Sequence, residues 1–150
     1  MSLKILNCPN PADYHSNLAD CVIKTHDNQI LIQKRPENWG SNAGGYNLFG
    51  GHVEQNETII EGLIREIKEE TGALIIEKEL IYIGTLSEDF TNYTDAVHIY
   101  FWHDADNRIT GCYEAMPAYF DKIQEIEILP KVMEYTLWAL NECRNKGLIE

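Results

Sequence analysis

One stretch constrains this chain more than any other: residues 51–73, GHVEQNETIIEGLIREIKEETGA, a glycine-opened loop that runs into an acidic helix. Thr58 and Glu61 have the S/T-x-x-E spacing of a capping box, which starts a helix by satisfying its first backbone donors. Gly72 supplies the left-handed stop at the other end. Between them Ile60, Leu63, Ile64 and Ile67 recur at helical spacing, so one face can bury. The opposite face carries Glu66, Glu69 and Glu70 at i, i+3 and i+4, which sets three carboxylates side by side. Negative charge is unfavourable near a helix C-terminus, and like charges at this spacing repel by roughly a few tenths of a kcal/mol per pair. A divalent cation would reverse the sign of that term, since hard cations take oxygen ligands and keep positions for water and phosphate. A solvated acidic face is the alternative for an isolated E-x-x-E-E. Arg65 can pair with Glu61 and Glu69, four residues away on either side, and can also hold Glu57.

Gly51, Glu57, Arg65, Glu66, Ile67, Glu69, Glu70 and Gly72 fall in register with the Nudix box, G-x5-E-x7-R-E-U-x-E-E-x-G-U, where U is a bulky aliphatic residue. The chain therefore resembles the Nudix hydrolase family, in particular its MutT-like members. It departs from the box at Ala73, which is smaller than the usual aliphatic residue; Leu74 follows and is expected to do that packing. Phe49-Gly50-Gly51 stands where many relatives carry Pro-Gly-Gly, a change in loop stiffness more than in chemistry. The resemblance implies an α/β fold, the Nudix-type α/β/α sandwich with a mixed central sheet. The box helix is expected on one side of the sheet and the C-terminal helix on the other.

The resemblance also implies a reaction, hydrolysis of a pyrophosphate linkage in a nucleoside diphosphate joined to another moiety, with magnesium as cofactor and manganese as its substitute. Glu66, Glu69 and Glu70 would hold metal, with a backbone carbonyl from Gly50 or Gly51. Glu66, Glu69 and Glu114 compete for the role of general base, and Glu88 and Asp89 are weaker candidates for the part assigned to Glu114. Arg65 would fix the glutamates, with Glu57 as its structural partner. A nucleoside triphosphate giving monophosphate and pyrophosphate is the first substrate expected, and ADP-ribose or a nucleotide sugar the alternative. A nucleotide-binding sensor that does not hydrolyse is the alternative of another class. A homodimer is compatible with the family.

Composition narrows the partners. A chain of 150 residues is near the usual size of one domain and can bury a substantial core. A single domain over 1–150 is expected, with 1–16 as an N-terminal extension. Its net charge of −12 argues against nucleic-acid polymers and anionic membranes. A small phosphorylated metabolite stays compatible, because bound cations can neutralise the local field. Cys8, Cys21, Cys112 and Cys143 are widely spaced, with no C-x-x-C pattern. They read as reduced thiols, which with no secretory signal or membrane-length apolar run suggests the cytoplasm.

Along the chain, Pro9 and Pro11 break regular structure, and residues 1–16 show no period. Strands are expected at 18–25 and 29–34, joined into a hairpin by His26-Asp27-Asn28. Lys34 and Arg35 end the second strand, either as solvated cations or facing substrate phosphates. Trp39 in the loop 37–46 is a candidate to stack on a base, as are Tyr46 and Phe120, or else to plug the loop. Residues 47–50 should form a short strand delivering the glycine pair. Further strands are expected at 74–86, with an interruption near 77–79, at 94–102, whose β-formers suggest burial on both faces, and at 118–120. Residues 121–129 read as a connecting turn, and Pro130 as the first turn of a final helix reaching Lys146.

Overall fold

The computed structural model describes residues 2–40 and 42–150. Eight strands and three helices follow in chain order: β1 (Leu3–Leu6), β2 (Ser16–Lys24), β3 (Ile30–Lys34), β4 (Tyr46–Asn47), β5 (Phe49–His52), α1 (Ile59–Thr71), β6 (Ile81–Glu88), β7 (Asp95–His103), β8 (Met116–Phe120), α2 (Ile123–Glu127) and α3 (Glu134–Asn145). β2 runs parallel to β7 over its whole length, from Ser16–Asp95 to Lys24–His103. β7 in turn pairs antiparallel with β6, and β6 with β1. The sheet is therefore mixed, as expected.

The other edge of β2 is divided. The hairpin to β3 is tightened by Asn28, whose φ of 66° is a left-handed conformation that Asn tolerates. Yet β2 and β3 pair only at Ile23–Leu31 and Lys24–Ile30. Beyond that point the strands diverge, and the chain from 46 to 52 enters the wedge. β4 pairs with Lys34 and Gln33 of β3, and β5 pairs with residues 18–21 of β2. Gln33 holds the crossing, donating from Nε2 to the Leu48 carbonyl at 2.9 Å. The strand expected at 47–50 is thus two short strands, and Gly50 and Gly51 lie opposite Asp20 and Ala19.

Alternation along β2 sends Ala19, Cys21 and Ile23 to one core, with Phe49, Leu63, Ile67 and Trp102. Val22 and the partly buried Leu18 go to the other, with Val97, Ile99, Phe101, Tyr135, Ala139 and Leu140. The first core lies under α1 and the second under α2 and α3, which is the α/β/α layering. Ala73 and Ile75 complete the α1 core, whereas Leu74 is 59% exposed. The packing expected of Leu74 falls to Ile75, because extended chain after Gly72 turns alternate residues inward.

Further expectations need correction. The strand expected at 74–86 begins only at Ile81 and runs to Glu88, after a 3-10 turn over Glu77–Glu79. Residues 3–6 form β1 on the β6 edge, although 1–16 show no period; a four-residue edge strand is too short to display one. The connection at 121–129 contains the helix α2, closed onto the core by Ile123 and Ile126. The last helix begins at Glu134, not at Pro130: Lys131 takes a φ of 59°, and Val132 bridges to Tyr46 instead.

His98 on β7 is buried, with Nε2 at 2.8 Å from Asn17 Oδ1 and Nδ1 at 3.1 Å from Thr85 Oγ1. Burial holds its pKa down to about 4 from 6.5. The unfolded chain therefore binds a proton below about pH 6.5 that the fold refuses. The stability it contributes is complete above 6.5 and is lost as pH falls toward 4. Buried carboxyls with raised pKa values act in the opposite direction, so the comparison is made against His98→Gln. Relative to that variant, the wild type should lose about 1–2 kcal/mol of stability between pH 7 and pH 5 in urea unfolding. Parallel pH dependence in the two proteins would remove His98 from this role.

Candidate active site

The site begins with the cap of α1. Thr58 Oγ1 accepts from Glu61 N at 3.1 Å, and Glu61 Oε1 accepts from Thr58 N at 2.8 Å. Glu61 is occupied by the cap, so Arg65 does not pair with it. Arg65 turns instead to the loop before the helix. Its Nε and Nη2 donate to the two oxygens of Glu57 at 2.6 and 2.9 Å, and Nη2 also donates to the His52 carbonyl at 3.0 Å. Nη1 reaches Glu66 at 3.0 Å and Glu69 at 3.4 Å. One guanidinium thus ties loop, β5 and helix together, a task suited to its planar fork of donors. The Arg65 hydrogen bond holds the Glu57 carboxyl below its usual range.

Glu70 is 3% exposed. Oε1 accepts from Gly50 N at 2.8 Å, and Oε2 accepts from Gln33 Nε2 at 3.3 Å. Burial nevertheless pushes its pKa up to about 8, with Asp20 and Glu114 adding to the rise. Glu66 is also raised, by burial first, and the charges of Glu69 and Glu114 add to it against the pull of Arg65. Asp20, behind the glycine pair, is raised by burial to about 7 despite its hydrogen bond to Tyr135. Burial thus disfavours the charged form of all three carboxyls, and neighbouring carboxylates add to it.

The glycine pair is the seam. Gly50 has a φ of 145°, and a Cβ there would fall on the Ala19 carbonyl oxygen and the Asp20 carboxylate. A Cβ on Gly51 would stand 2.7 Å from Glu66 Cδ. Only backbone separates the helix carboxylates from Asp20. Asp20 belongs to the wall of a cavity of about 480 Å³, together with Arg35, His52, Glu88, Phe90 and Tyr135. The cavity lies across the sheet from α1, where β2 presents Leu18 and Asp20.

The expected site residues divide accordingly. Glu66 and Glu70 lie against Gly51 and Gly50, Arg65 gathers Glu57, Glu66 and Glu69, and Glu114 is close enough to bias both Glu66 and Glu70. The Glu114 loop is brought there by Tyr113 N, which donates to the Glu70 carbonyl at 2.9 Å. Arg35 lines the cavity, and its guanidinium also lies 5.7 Å from the centre of the Trp39 ring. Trp39 supports Arg35 and does not itself line the cavity. Phe120 pairs with Ile30 on the far edge of the sheet and packs against the α3 core, so it is not at the site. Lys34 lies over the Tyr46 ring and near Glu37, outside the cavity wall. Glu88 lines the cavity and does not join the helix carboxylates. Asp20, Gln33 and His52 were missed. For Asp20 and Gln33 the signal is a polar residue inside an apolar strand, as in Ala19-Asp20-Cys21 and Ile32-Gln33; His52, exposed at the end of β5, carries none.

The donor set is oxygen throughout, and Glu66 and Glu70 are raised by burial first and by neighbouring carboxylates after it; a hard divalent cation suits such donors and would favour their charged form. Among the described residues, no three His, Cys, Asp or Glu side chains are already gathered closely enough to hold one. Glu66 is turned to Arg65, and Glu70 to Gly50 and Gln33.

Comparison with known proteins agrees with this geometry. The sequence model of the NUDIX domain matches residues 15–139. An oxidized purine nucleoside triphosphate hydrolase of Danio rerio is 30% identical over 111 residues, which cover 74% of this chain and 65% of that protein. An ADP-ribose pyrophosphatase of Methanocaldococcus jannaschii is 47% identical over 67 residues, covering 45% of this chain and 38% of that protein. The chain thus spans less than two thirds of either relative. Among solved structures, a MutT protein from Methanosarcina mazei Go1 superposes with a TM-score of 0.69 at 21% identity, covering 88% of this chain and 94% of that one. A mutT/nudix family protein from Listeria innocua gives 0.70 at 20% identity, covering 89% and 94%. These likenesses show the fold.

The seam predicts its own sensitivity. Gly50→Ala meets backbone and a positive φ together, and should cost about 2–4 kcal/mol in denaturant unfolding. Gly40→Ala, where a methyl would meet nothing within 4 Å among the described residues, should change stability by less than ~0.5 kcal/mol. Equal effects of the two would show that the close approach at Gly50 is not needed.

Proposed function

The chain belongs to the Nudix family, and from that premise we propose that it is a metal-dependent hydrolase cleaving a pyrophosphate linkage in a nucleoside diphosphate derivative. The observation that carries this reading is the glycine seam, with Glu66 and Glu70 on one side and a nucleotide-sized cavity on the other. A nucleoside triphosphate, split to monophosphate and pyrophosphate, is the first substrate. The relative named for oxidized purine nucleoside triphosphates supports it, since that match runs over 74% of the chain. The match to a protein named for ADP-ribose, at higher identity over a shorter stretch, makes ADP-ribose the second substrate.

Glu66, Glu69 and Glu70, with a carbonyl of the glycine pair, would hold magnesium or manganese. When bound, such a cation neutralises phosphate charge and lowers the pKa of coordinated water. The rest is done by the chain. A carboxylate takes the proton of the attacking water while the anhydride P–O bond breaks and the leaving phosphate keeps the electron pair. Glu69 and Glu114 are the exposed members of the cluster and are open to water; Glu66 is the third candidate for this base. Arg65 fixes Glu57, Glu66 and Glu69 and does not touch the scissile bond. Arg35 and His52 offer donors on the cavity wall for phosphate oxygens. No helix among the described residues is long and apolar enough to cross a membrane. All four cysteines are free, which supports a reducing compartment such as the cytoplasm.

The test is product formation from nucleoside triphosphates, oxidized nucleotides and ADP-ribose, with magnesium and with chelator. Turnover should require the metal. Glu70→Gln keeps an acceptor for Gly50 N and cannot become the carboxylate a cation requires, so it should lower turnover by at least about 100-fold, or ~2.7 kcal/mol. The melting temperature should stay within about 3 °C. Full activity in the folded variant would overturn the Glu70 assignment, and nucleotide binding without turnover in the wild type would favour a sensor.

A further inference from the structure

The last carbonyls of a helix have no partner within it. In α1 the Lys68 carbonyl accepts from Gly72 N at 2.9 Å. The carbonyls of Glu70 and Thr71 are satisfied from outside the helix, by the connection between β7 and β8. Asp104, 2% exposed, shapes that connection by accepting from Arg108 N at 2.7 Å and Ile109 N at 3.0 Å. Thr110 N and Gly111 N then donate to the Thr71 carbonyl at 2.9 and 3.3 Å, and Tyr113 N donates to the Glu70 carbonyl at 2.9 Å.

A hydroxyl pair closes the contact. Thr110 Oγ1 lies 3.2 Å from the Thr71 carbonyl and 2.6 Å from the Tyr113 hydroxyl. Gly72 leaves room for it: with a φ of 79° it stops the helix, and a Cβ there would fall on Thr110 Oγ1. Tyr113 is 62% exposed, so the docking is polar more than apolar.

The docked segment carries Glu114. Tyr113 before it is anchored to α1, and Met116 after it pairs with Lys34 of β3. Only Glu114 and Ala115 separate the two anchors. Glu70 thus presents its carboxylate to the site and its carbonyl to the segment that bears Glu114. The charge of Glu114 acts on both Glu66 and Glu70.

We propose that Thr110 is a positioning residue of this site, holding Glu114 at the helix carboxylates through the Thr71 carbonyl and the Tyr113 hydroxyl. The inference rests on the hydrolase reading, with Glu114 as the carboxylate that takes the proton of the attacking water.

The experiment measures kcat and KM with magnesium, on whichever nucleoside triphosphate or ADP-ribose the wild type turns over fastest. Thr110→Val keeps the shape and removes the hydroxyl. It should lower kcat by about tenfold, with KM within about twofold, because misplacing a reacting group slows the chemical step. Thr110→Ser restores the hydroxyl and should return kcat to within about threefold of wild type. Glu114→Gln should lower kcat by about 100-fold. On that background Thr110→Val should add less than about twofold, since nothing is left to position, whereas a general structural defect would add its full effect. In the metal-free protein, hydrogen exchange at the amides of Gly111 and Tyr113 should quicken by about fivefold in Thr110→Val, the worth of one hydrogen bond. Should this variant melt early, Tyr113→Phe, on an exposed ring, carries the same pattern at about threefold. Unchanged kcat in Thr110→Val or in Glu114→Gln, or an equal loss from Thr110→Val in both backgrounds, overturns the assignment and leaves the hydrolase reading standing. A wild type that turns over none of these substrates overturns that reading and the assignment with it.

Discussion

The hydrogen bond from Gly50 N to Glu70 Oε1, 2.8 Å long, is where sheet and helix meet, and the remaining geometry depends on it. It exists because β2 and β3 diverge and the chain 46–52 fills the wedge between them. That segment pairs with β2 from Phe49 to His52, and at Gly50 it comes so close that a Cβ would meet the Ala19 carbonyl and the Asp20 carboxylate. Gln33 serves both sides of the contact, donating to the Leu48 carbonyl and to Glu70. Arg65 holds the other end of the same loop through the His52 carbonyl and Glu57. Loop, sheet and helix are thereby locked by polar contacts beside the buried Leu48 and Phe49.

That arrangement concentrates acid where a fold would ordinarily avoid it. Asp20, Glu66 and Glu70 all have raised pKa values, with burial as the first cause in each. Arg65 compensates part of the charge on Glu66, while Glu70 receives two neutral donors. A cation would favour the charged form that burial opposes, so the cluster is strain tolerated at a site rather than stability gained. The apolar cores on the two faces of the sheet provide the support, with Leu63 and Ile67 anchoring α1 beneath the cluster.

Much of the fold was readable because the signals were local. The α1 cap, its left-handed stop at Gly72 and its buried face follow from spacing alone, and the hairpin turn at Asn28 and the long β7 strand are of the same kind. Non-local pairing carried the errors. β1 is defined by β6, far along the chain, and the start of α3 is set by Val132 bridging to Tyr46. Leu74 and Ile75 could not be ranked by composition, because which of two adjacent residues turns inward depends on where the strand docks.

For the site, the sequence by itself determined the carboxylate face, which follows from helical period, while the Arg65–Glu57 partnership and the role of the glycine pair followed from the resemblance to the Nudix box. Tertiary structure alone decided that Asp20 stands behind the glycines, that Gln33 reaches Glu70 and that Phe120 lies on a distant edge. It also placed Glu88 in the cavity, away from the helix carboxylates. The physical reason is range. Capping and helical periodicity act over three or four residues, whereas a cavity wall is assembled from β2, β5, β6 and α3, which only sheet order and packing bring together.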